Sequence, residues 1–155
     1  MKKHYIRKTR PMFALEPLRP SHLEEVAAWL GRRDWRFRPW SHRENAQSLV
    51  MTINGRPVFY LSVLAYDGTS GEIYILPSPQ WESSVHRLIR VWYMASVYAF
   101  LPMGLSWVRA VARVDSQAEN EALQLLGYRL VDTCWQTSGR MNEYTCGRKE
   151  MRMVM

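Results

Sequence analysis

The stretch EIYILPSPQWESSV, residues 72–85, changes its pattern half-way and decides how the chain is organised. Its first part, Glu72–Leu76, is rich in β-branched and aromatic residues, which predicts a strand. Pro77 and Pro79 follow and end that strand, because proline cannot donate to a strand ladder. A helix is then predicted over Gln80–Leu101, with one face formed by Val85, Leu88, Ile89, Trp92, Ser96 and Phe100. A strand that leads into a long helix is therefore the central unit of the fold.

The sequence before residue 72 predicts a strand, a helix and a hairpin. Ser21-His22-Leu23-Glu24 has the form of a capping box, which predicts a helix that starts after Ser21 and ends at Gly31. Asn54-Gly55 is a strong signal for a two-residue hairpin turn. A short second helix is expected over Ser41–Gln47. The strands of this part are expected over Phe13–Arg19, Leu49–Ile53 and Pro57–Tyr66.

The sequence after the long helix predicts three more strands and one more helix. Trp107–Val114 alternates between two faces, with Val108, Ala110, Ala112 and Val114 on one of them. A helix is expected over Gln117–Leu126, and strands over Tyr128–Trp135 and Glu143–Lys149. Strands followed by crossover helices predict an α+β fold: a mixed, mostly antiparallel central sheet with helices on both faces. We expect a single domain over residues 1–155, with residues 1–10 and 151–155 flexible.

Composition and charge narrow the function classes. The chain has 155 residues, 47% of them hydrophobic, which excludes a disordered chain. Its formal net charge is +7, from 21 basic and 14 acidic residues. This charge favours a polyanionic partner, such as nucleic acid, anionic lipid or a phosphate-rich cofactor, and a basic surface with no specific partner stays open as well. Arginines and aromatic residues are mixed over Arg32–Arg43, which favours side chains that cover the core and leaves binding of nucleic acid as the alternative.

The cysteines and the apolar segments indicate a cytoplasmic protein without metal. Cys134 and Cys146 lie too far from other Cys and His residues for a zinc site. They could face each other across a hairpin, or remain two separate thiols. No apolar segment follows the basic N-terminus, so no signal peptide is expected. Residues 91–108 are uncharged, but Pro102 and Gly104 within them favour a buried helix that runs into a strand over a membrane span.

Two segments resemble motifs of the GNAT acetyltransferase superfamily. Residues 74–80, Tyr-Ile-Leu-Pro-Ser-Pro-Gln, resemble the end of the fourth strand in that family, and Gln80–Val85 fall where the family has its glycine-containing loop. Ser116–Tyr128 resemble the family's fourth helix, whose closing Gly-aromatic pair is present as Gly127-Tyr128. The order of strands and helices is also similar, over nearly the whole chain.

The resemblance implies an N-acetyltransferase that uses acetyl-coenzyme A. Backbone amides at the start of the long helix would bind the cofactor's pyrophosphate with help from the helix dipole. The pantetheine arm would lie between the fourth and fifth strands, beside the amides of Ile75 and Leu76, where a ladder hydrogen bond is the alternative. Ser116 takes the place of an asparagine. The residues expected to bind the cofactor are therefore Ile75, Leu76, Gln80, Trp81, Glu82, Ser83, Ser84, Val85 and Ser116.

The resemblance also implies a base and an acid for acetyl transfer to an amine. Glu72 is the candidate base, and a solvated edge glutamate is the alternative. Tyr74 and Tyr128 are the candidate acids, and buried packing tyrosines are the alternative. His86 would contact phosphate or lie on the helix surface. The acceptor, an amine of a protein or a small molecule, would enter beside Arg32–Arg43.

Besides Ser116, three residues depart from the family pattern. Ser83 and Val85 stand at the loop glycine positions, and Leu123 stands where a tyrosine often acts as the acid. They motivate an alternative function, a non-catalytic GNAT-fold binding protein of the kind that bacteriophages encode, which would engage a host protein in the host cytoplasm. We further expect no membrane partner, no metal, little role for nucleic acid, and a homodimer as one oligomeric state.

Overall fold

The computed structural model describes residues 12–30, 46–136 and 139–152. In this part of the chain three helices accompany seven strands. The helices are α1 (Pro20–Leu30), α2 (Val85–Phe100) and α3 (Gln117–Leu125). The strands are β1 (Phe13–Pro17), β2 (Ala46–Ile53), β3 (Arg56–Ala65), β4 (Ser70–Pro77), β5 (Trp107–Arg113), β6 (Arg129–Gln136) and β7 (Gly139–Gly147).

All seven strands belong to one sheet, in the order β1-β2-β3-β4-β5-β7-β6. Every neighbouring pair is antiparallel except β4 and β5, which run parallel because α2 crosses over between them. The predicted fold class, a mixed and mostly antiparallel sheet with helices on both faces, is confirmed.

Apolar residues are buried on both faces of the sheet. On one face, α2 and α3 pack over alternate residues of β3, β4, β5 and β7. The predicted inward residues of β5, Val108, Ala110 and Ala112, all lie in this core, whereas Val114 is exposed. On the other face, α1 packs over a smaller cluster, whose buried members are Val26, Val50, Tyr60, Leu64 and Tyr74.

The Asn54-Gly55 turn joins β2 and β3 as predicted. Both residues have positive φ, 51° and 81°, which is the backbone that a two-residue hairpin with twisted strands requires. The Asn54 side chain also accepts a hydrogen bond from the Met12 amide at 2.9 Å. The turn thus fixes the register of β2 with β3 and helps to hold the chain entering β1.

The predicted start of α1 is wrong by two residues. The helix begins at Pro20, a residue suited to the first helical position because its missing N–H would have no intrahelical partner there. Ser21 lies inside the helix. His22 completes the cap instead: its Nδ1 accepts from the Arg19 amide at 3.2 Å, the bond that a glutamate makes in a capping box.

The predicted start of α2 is wrong by five residues. Residues 80–83 form a turn, Ser84 is the N-cap, and the helix begins at Val85. The side chain of Trp81 explains the delay, since it is buried edge-to-face against Phe59, with centroids 4.9 Å apart, and the Arg87 guanidinium lies 4.7 Å from its ring centroid. This packing holds the turn before Ser84 against β3, so the helix begins only after it.

Several expectations fall at or beyond the limits of the described residues. Ala46 and Gln47 belong to β2, so the helix expected over Ser41–Gln47 is wrong there, and its remainder lies outside the described residues. Residues 1–10, Arg32–Arg43 and residues 153–155 also lie outside them. At residues 151–152, expected to be flexible, the Arg152 amide donates to the Leu126 carbonyl at 2.8 Å.

Substitution of Gly127 by alanine should strongly destabilise the protein. Gly127 ends α3 with φ of 94°, and an added Cβ would lie 2.2 Å from the Glu150 carbonyl oxygen. Strain and clash together predict a loss of about 2–4 kcal/mol in the free energy of unfolding, measured by chemical denaturation. Gly68→Ala is the matched control, because nothing lies within 4 Å of its added Cβ. Equal stabilities of the two variants would contradict the prediction.

Candidate functional site: a seam in the sheet beside a cavity

The parallel pairing of β4 with β5 stops before either strand ends. The paired residues run from Ser70↔Trp107 to Ile73↔Ala110, whereas β4 continues to Pro77 and β5 to Arg113. Beyond the last pair the two strand ends face each other without a ladder. We call this opening between residues 74–77 and residues 111–113 the seam.

Strand alternation decides which backbone groups of β4 face the seam. The Ser78 amide donates to Val58 of β3 and the Thr69 carbonyl accepts from Trp107 of β5, so even-numbered residues face β3 and odd-numbered residues face β5. Of the two amides expected to meet a pantetheine arm, that of Ile75 therefore points towards the seam. That of Leu76 points towards β3.

Unused backbone amides open α2 at the end of the seam. The Ser84 hydroxyl accepts from the Arg87 amide at 3.4 Å, and the Leu88 amide donates to the Ser84 carbonyl. The amides of Val85 and His86 have no acceptor in the described part of the chain, as expected for the first turn of a helix. Among the predicted anion-binding residues, Trp81 and Ser84 use their amides inside the preceding turn.

A cavity of about 500 Å³ lies between the start of α2 and the start of α3. Ser83 and Val85 line it from the α2 side, and Ser116 lines it from the α3 side. Val85 is half-buried and forms part of the wall, so its branched side chain does not fill the space. The structure thus brings Glu82, Ser83, Val85 and Ser116, all predicted from the sequence, around one cavity.

Charged residues dominate the rest of the cavity wall. Glu82, Asp115 and Glu121 contribute carboxylates, and Arg113 contributes a guanidinium. The Arg113 Nη2 atom lies 3.2 Å from Glu119 and 3.9 Å from Glu82. The cation is therefore already shared between two carboxylates, one from each side of the cavity.

Asn120 fixes the start of α3 against the sheet. Its Nδ2 donates to the carbonyls of Arg113 and Ser116 at 2.8 and 2.7 Å, and its Oδ1 accepts from Tyr144 and Asn142 at 2.6 and 2.8 Å. Through these four hydrogen bonds the Asn120 side chain joins the start of α3 to β5 and β7. Sequence reasoning missed Asn120 because an asparagine inside a helix gives no signal of its partners.

On the α1 face of the sheet, Glu72 lies in an ion cluster just before the seam. Its Oε1 lies 3.2 Å from Arg109 Nη1, and its Oε2 accepts from the Tyr66 hydroxyl. Arg109 also pairs with Glu143 through Nη2. Glu72 is 5% exposed, so it is buried and paired rather than solvated. Burial, and then the bond to Glu72, raise the pKa of Tyr66 to about 12, so this hydroxyl stays protonated.

Arg109 and Glu143 carry no sequence signal as a site, because their contact depends on strand register. Glu72 pairs with Arg109 across the parallel ladder, and Arg109 pairs with Thr145 across the antiparallel one. The register of β4, β5 and β7 thus places the Arg109 guanidinium between the carboxylates of Glu72 and Glu143.

The two candidate acids lie on opposite faces of the sheet. Tyr74 is buried on the α1 face, the same face as Glu72, with its ring edge-to-face against Tyr60 at a centroid distance of 6.3 Å. Tyr128 is buried under α2, where its hydroxyl lies 2.5 Å from Ser96 Oγ, which itself donates to the Trp92 carbonyl. Burial raises the pKa of Tyr128 above its ordinary value, so this hydroxyl is an enclosed packing group.

The two cysteines do not face each other. Cys134 lies opposite Met141 in the β6–β7 ladder, and Cys146 lies opposite Val108 in the β5–β7 ladder. Both are thiols, so of the two alternatives the cross-hairpin pair is wrong. His86 is exposed on the first turn of α2. Among the residues described, no group of His, Cys, Asp and Glu could hold a metal ion, and no helix is long and apolar enough to cross a membrane.

Solved structures of N-acetyltransferases are similar to this chain over most of its length. A dodecameric spermidine N-acetyltransferase from Vibrio cholerae has a TM-score of 0.72 at 10% identity, covering 88% of this chain and 94% of its own. The N-acetyltransferase PseH from Campylobacter jejuni has a TM-score of 0.66 at 11% identity, covering 89% and 99%. RimJ from Mycobacterium smegmatis, in complex with CoA-disulfide, has a TM-score of 0.67 at 14% identity, covering 91% and 84%.

The chain has the GNAT fold. No protein-family model matches the sequence, and no curated protein matches it. Identities of 10 to 14% with these enzymes establish the fold alone. The function of this GNAT fold must therefore be argued from its own residues.

Loss of Arg109 should destabilise the fold much more than loss of a surface arginine. Arg109→Gln leaves Glu72, whose side chain is 7% exposed, and Glu143 without their cation. We expect a loss of about 2–3 kcal/mol in the free energy of unfolding. Arg56→Gln is the control, because Arg56 and Glu25 are 3.8 Å apart with 82% and 41% of their side chains exposed; a change within about 0.5 kcal/mol is expected there. Similar losses in both variants would show that the buried cluster has no special role.

Proposed function

We propose that the chain is an N-acetyltransferase that moves acetyl from acetyl-coenzyme A to an amine of a protein or a small molecule. The observation that supports it most is the seam, which opens between β4 and β5 directly beside the cavity at the start of α2. A narrow gap lined by backbone and a wider cavity at a helix start suit a ligand with a thin arm and an anionic end.

The polar groups of this region fit coenzyme A. The amides of Val85 and His86 have no acceptor in the described part of the chain, and the amide of Ile75 faces the seam beyond the last paired position of β4 with β5. In the proposal Ile75 holds the arm, and the residues from Gln80 to Val85, His86 and Ser116 surround the anionic end.

Bound acetyl-coenzyme A would supply an acetyl group activated as a thioester. The amine must give up a proton when it attacks the carbonyl. We assign that proton to Glu72, one residue before the last paired position of β4. Arg109 and Tyr66 each occupy one of its oxygens, and a carboxylate oxygen that accepts one bond keeps a second lone pair. Tyr74, on the same face and at the first position of the seam, would return a proton to the departing sulfur.

A non-catalytic binding protein with the GNAT fold is the second candidate. Three observations favour it: both oxygens of Glu72 are engaged, Tyr128 is enclosed, and Leu123 is fully buried in the core. In that case the surface near Arg32–Arg43 would bind a host protein. A bacteriophage origin, a cytoplasmic location and a homodimer remain predictions.

Binding of coenzyme A and its acetyl thioester is the first test. We expect saturable heat in isothermal titration calorimetry and a raised melting temperature for both ligands. Thiol release with polyamines, peptide N-termini and lysine peptides, followed by mass spectrometry, then identifies the acceptor class. The absence of heat at millimolar ligand, together with the absence of acetylated product, would leave the binding-protein candidate alone.

Substitution of Glu72 tests the assigned base. Glu72→Gln should lower kcat by about 10²- to 10⁴-fold and leave the Kd for coenzyme A within about twofold, because Glu72 lies outside the cavity wall. Glu24→Gln, at an exposed position of α1, is the matched control and should keep full activity. Tyr74→Phe provides a second variant that leaves the ion cluster intact. Full turnover by a folded Glu72→Gln variant would refute the assignment.

A further inference from the structure

The cavity wall carries the opposite charge to the chain as a whole. The chain has a formal net charge of +7. The cavity is lined by three carboxylates and one guanidinium, so its wall has a formal charge of −2. A site selected for strong binding of several phosphates would show the reverse arrangement.

Arg113 cannot offset this charge freely. Its guanidinium lies 3.2 Å from Glu119, and its backbone amide donates to the same carboxylate at 3.0 Å. It also lies 3.9 Å from Glu82. In the described part of the chain, Asp115 and Glu121 form no salt bridge, and Asp115 is close enough to Arg113 to favour the charged guanidinium.

Nearby charges outweigh the distant ones in this cavity. At physiological ionic strength the Debye length is about 8 Å, so cations spread over the rest of the surface are largely screened from a ligand in the cavity. The wall carboxylates belong to solvent-exposed residues but lie within that distance of a ligand in the cavity, and each costs a phosphate about 1 kcal/mol at about 4 Å even in water. The pantetheine arm of coenzyme A is uncharged, whereas its pyrophosphate and 3′-phosphate carry the negative charge.

We propose that the wall carboxylates discriminate against phosphate charge, so that the preferred donor is a pantetheine thioester with fewer phosphates than coenzyme A. This inference rests on the proposed acetyl transfer and ranks its donors: acetyl-coenzyme A remains a donor, and a thioester with fewer phosphates is preferred to it. The seam supplies most of the affinity through the arm. The amides at the start of α2 and the carboxylates of Asp115 and Glu121 act against each other at the nucleotide end.

The experiment compares binding of three ligands by isothermal titration calorimetry: coenzyme A, dephospho-coenzyme A and pantetheine. We expect pantetheine to bind at least as tightly as dephospho-coenzyme A, and dephospho-coenzyme A more tightly than coenzyme A. Raising the salt from about 0.05 to about 0.5 M should tighten coenzyme A binding, because salt screens the repulsion. General attraction to a basic surface would weaken with salt instead.

Neutral variants of the wall test the cause. Asp115→Asn combined with Glu121→Gln should tighten coenzyme A binding about three- to tenfold, and pantetheine binding should not change. Glu24→Gln removes a carboxylate from α1, on the other face of the sheet, and should change neither affinity.

The outcomes separate this inference from the proposed function. If none of the three ligands binds, the proposed function fails. If coenzyme A binds about tenfold or more tightly than pantetheine, weakens with salt and ignores the neutral variants, the function stands and the inference is overturned. The same affinity order in turnover of the three acetyl thioesters would extend the result to the reaction.

Discussion

The parallel contact between β4 and β5 is the weakest junction of the sheet, and the site depends on it. β3 holds β4 through seven paired positions, from Ala65↔Gly71 to Phe59↔Pro77, and β7 holds β5 through seven, from Trp107↔Gly147 to Arg113↔Met141. Only four positions join β4 to β5. β4 stays paired with β3, and β5 stays paired with β7. The sheet can therefore open between β4 and β5 while both strands keep their other neighbour. The twist of neighbouring strands favours divergence where no ladder holds them.

The helices that follow these two strands turn the opening into a site. α2 begins after β4 and α3 begins after β5, so both helix starts lie at the same edge of the sheet. The side chain of Trp81 holds the turn before α2 against β3, and Asn120 holds the start of α3 against β5 and β7. A cavity remains between the two helix starts, and the Arg113 side chain links its two sides through Glu82 and Glu119. The size of the cavity is set by Trp81 and Asn120.

The sequence predicts most elements of this fold because their patterns are local. Alternation in β5, helical spacing in α2 and the Asn54-Gly55 turn each depend on neighbouring residues alone. The errors occur where a distant contact overrides the pattern. Trp81 delays α2 because it packs on Phe59, and His22 takes the capping role expected of Glu24 because the helix already begins at Pro20. The positions of the two cysteines and the ion pairs of Arg109 follow from the register of the strands. The contacts of Asn120 follow from how α3 packs on the sheet. Neither can be read from the residues that are neighbours in sequence.

The residues that depart from the GNAT pattern lie away from the seam itself. Leu123 is buried in the core where α2 and α3 pack on the sheet, so a proton donor at this position would be enclosed by apolar residues. Val85 lies in the cavity wall, at the nucleotide end of the proposed ligand. The polar groups at the seam, Glu72 and Tyr74, lie on the opposite face of the sheet. A loss of loop glycines therefore bears on how the anionic end of a donor is held, whereas the ability to move a proton depends on the α1 face. These two properties can vary independently, because the residues that carry them lie on opposite faces of the sheet.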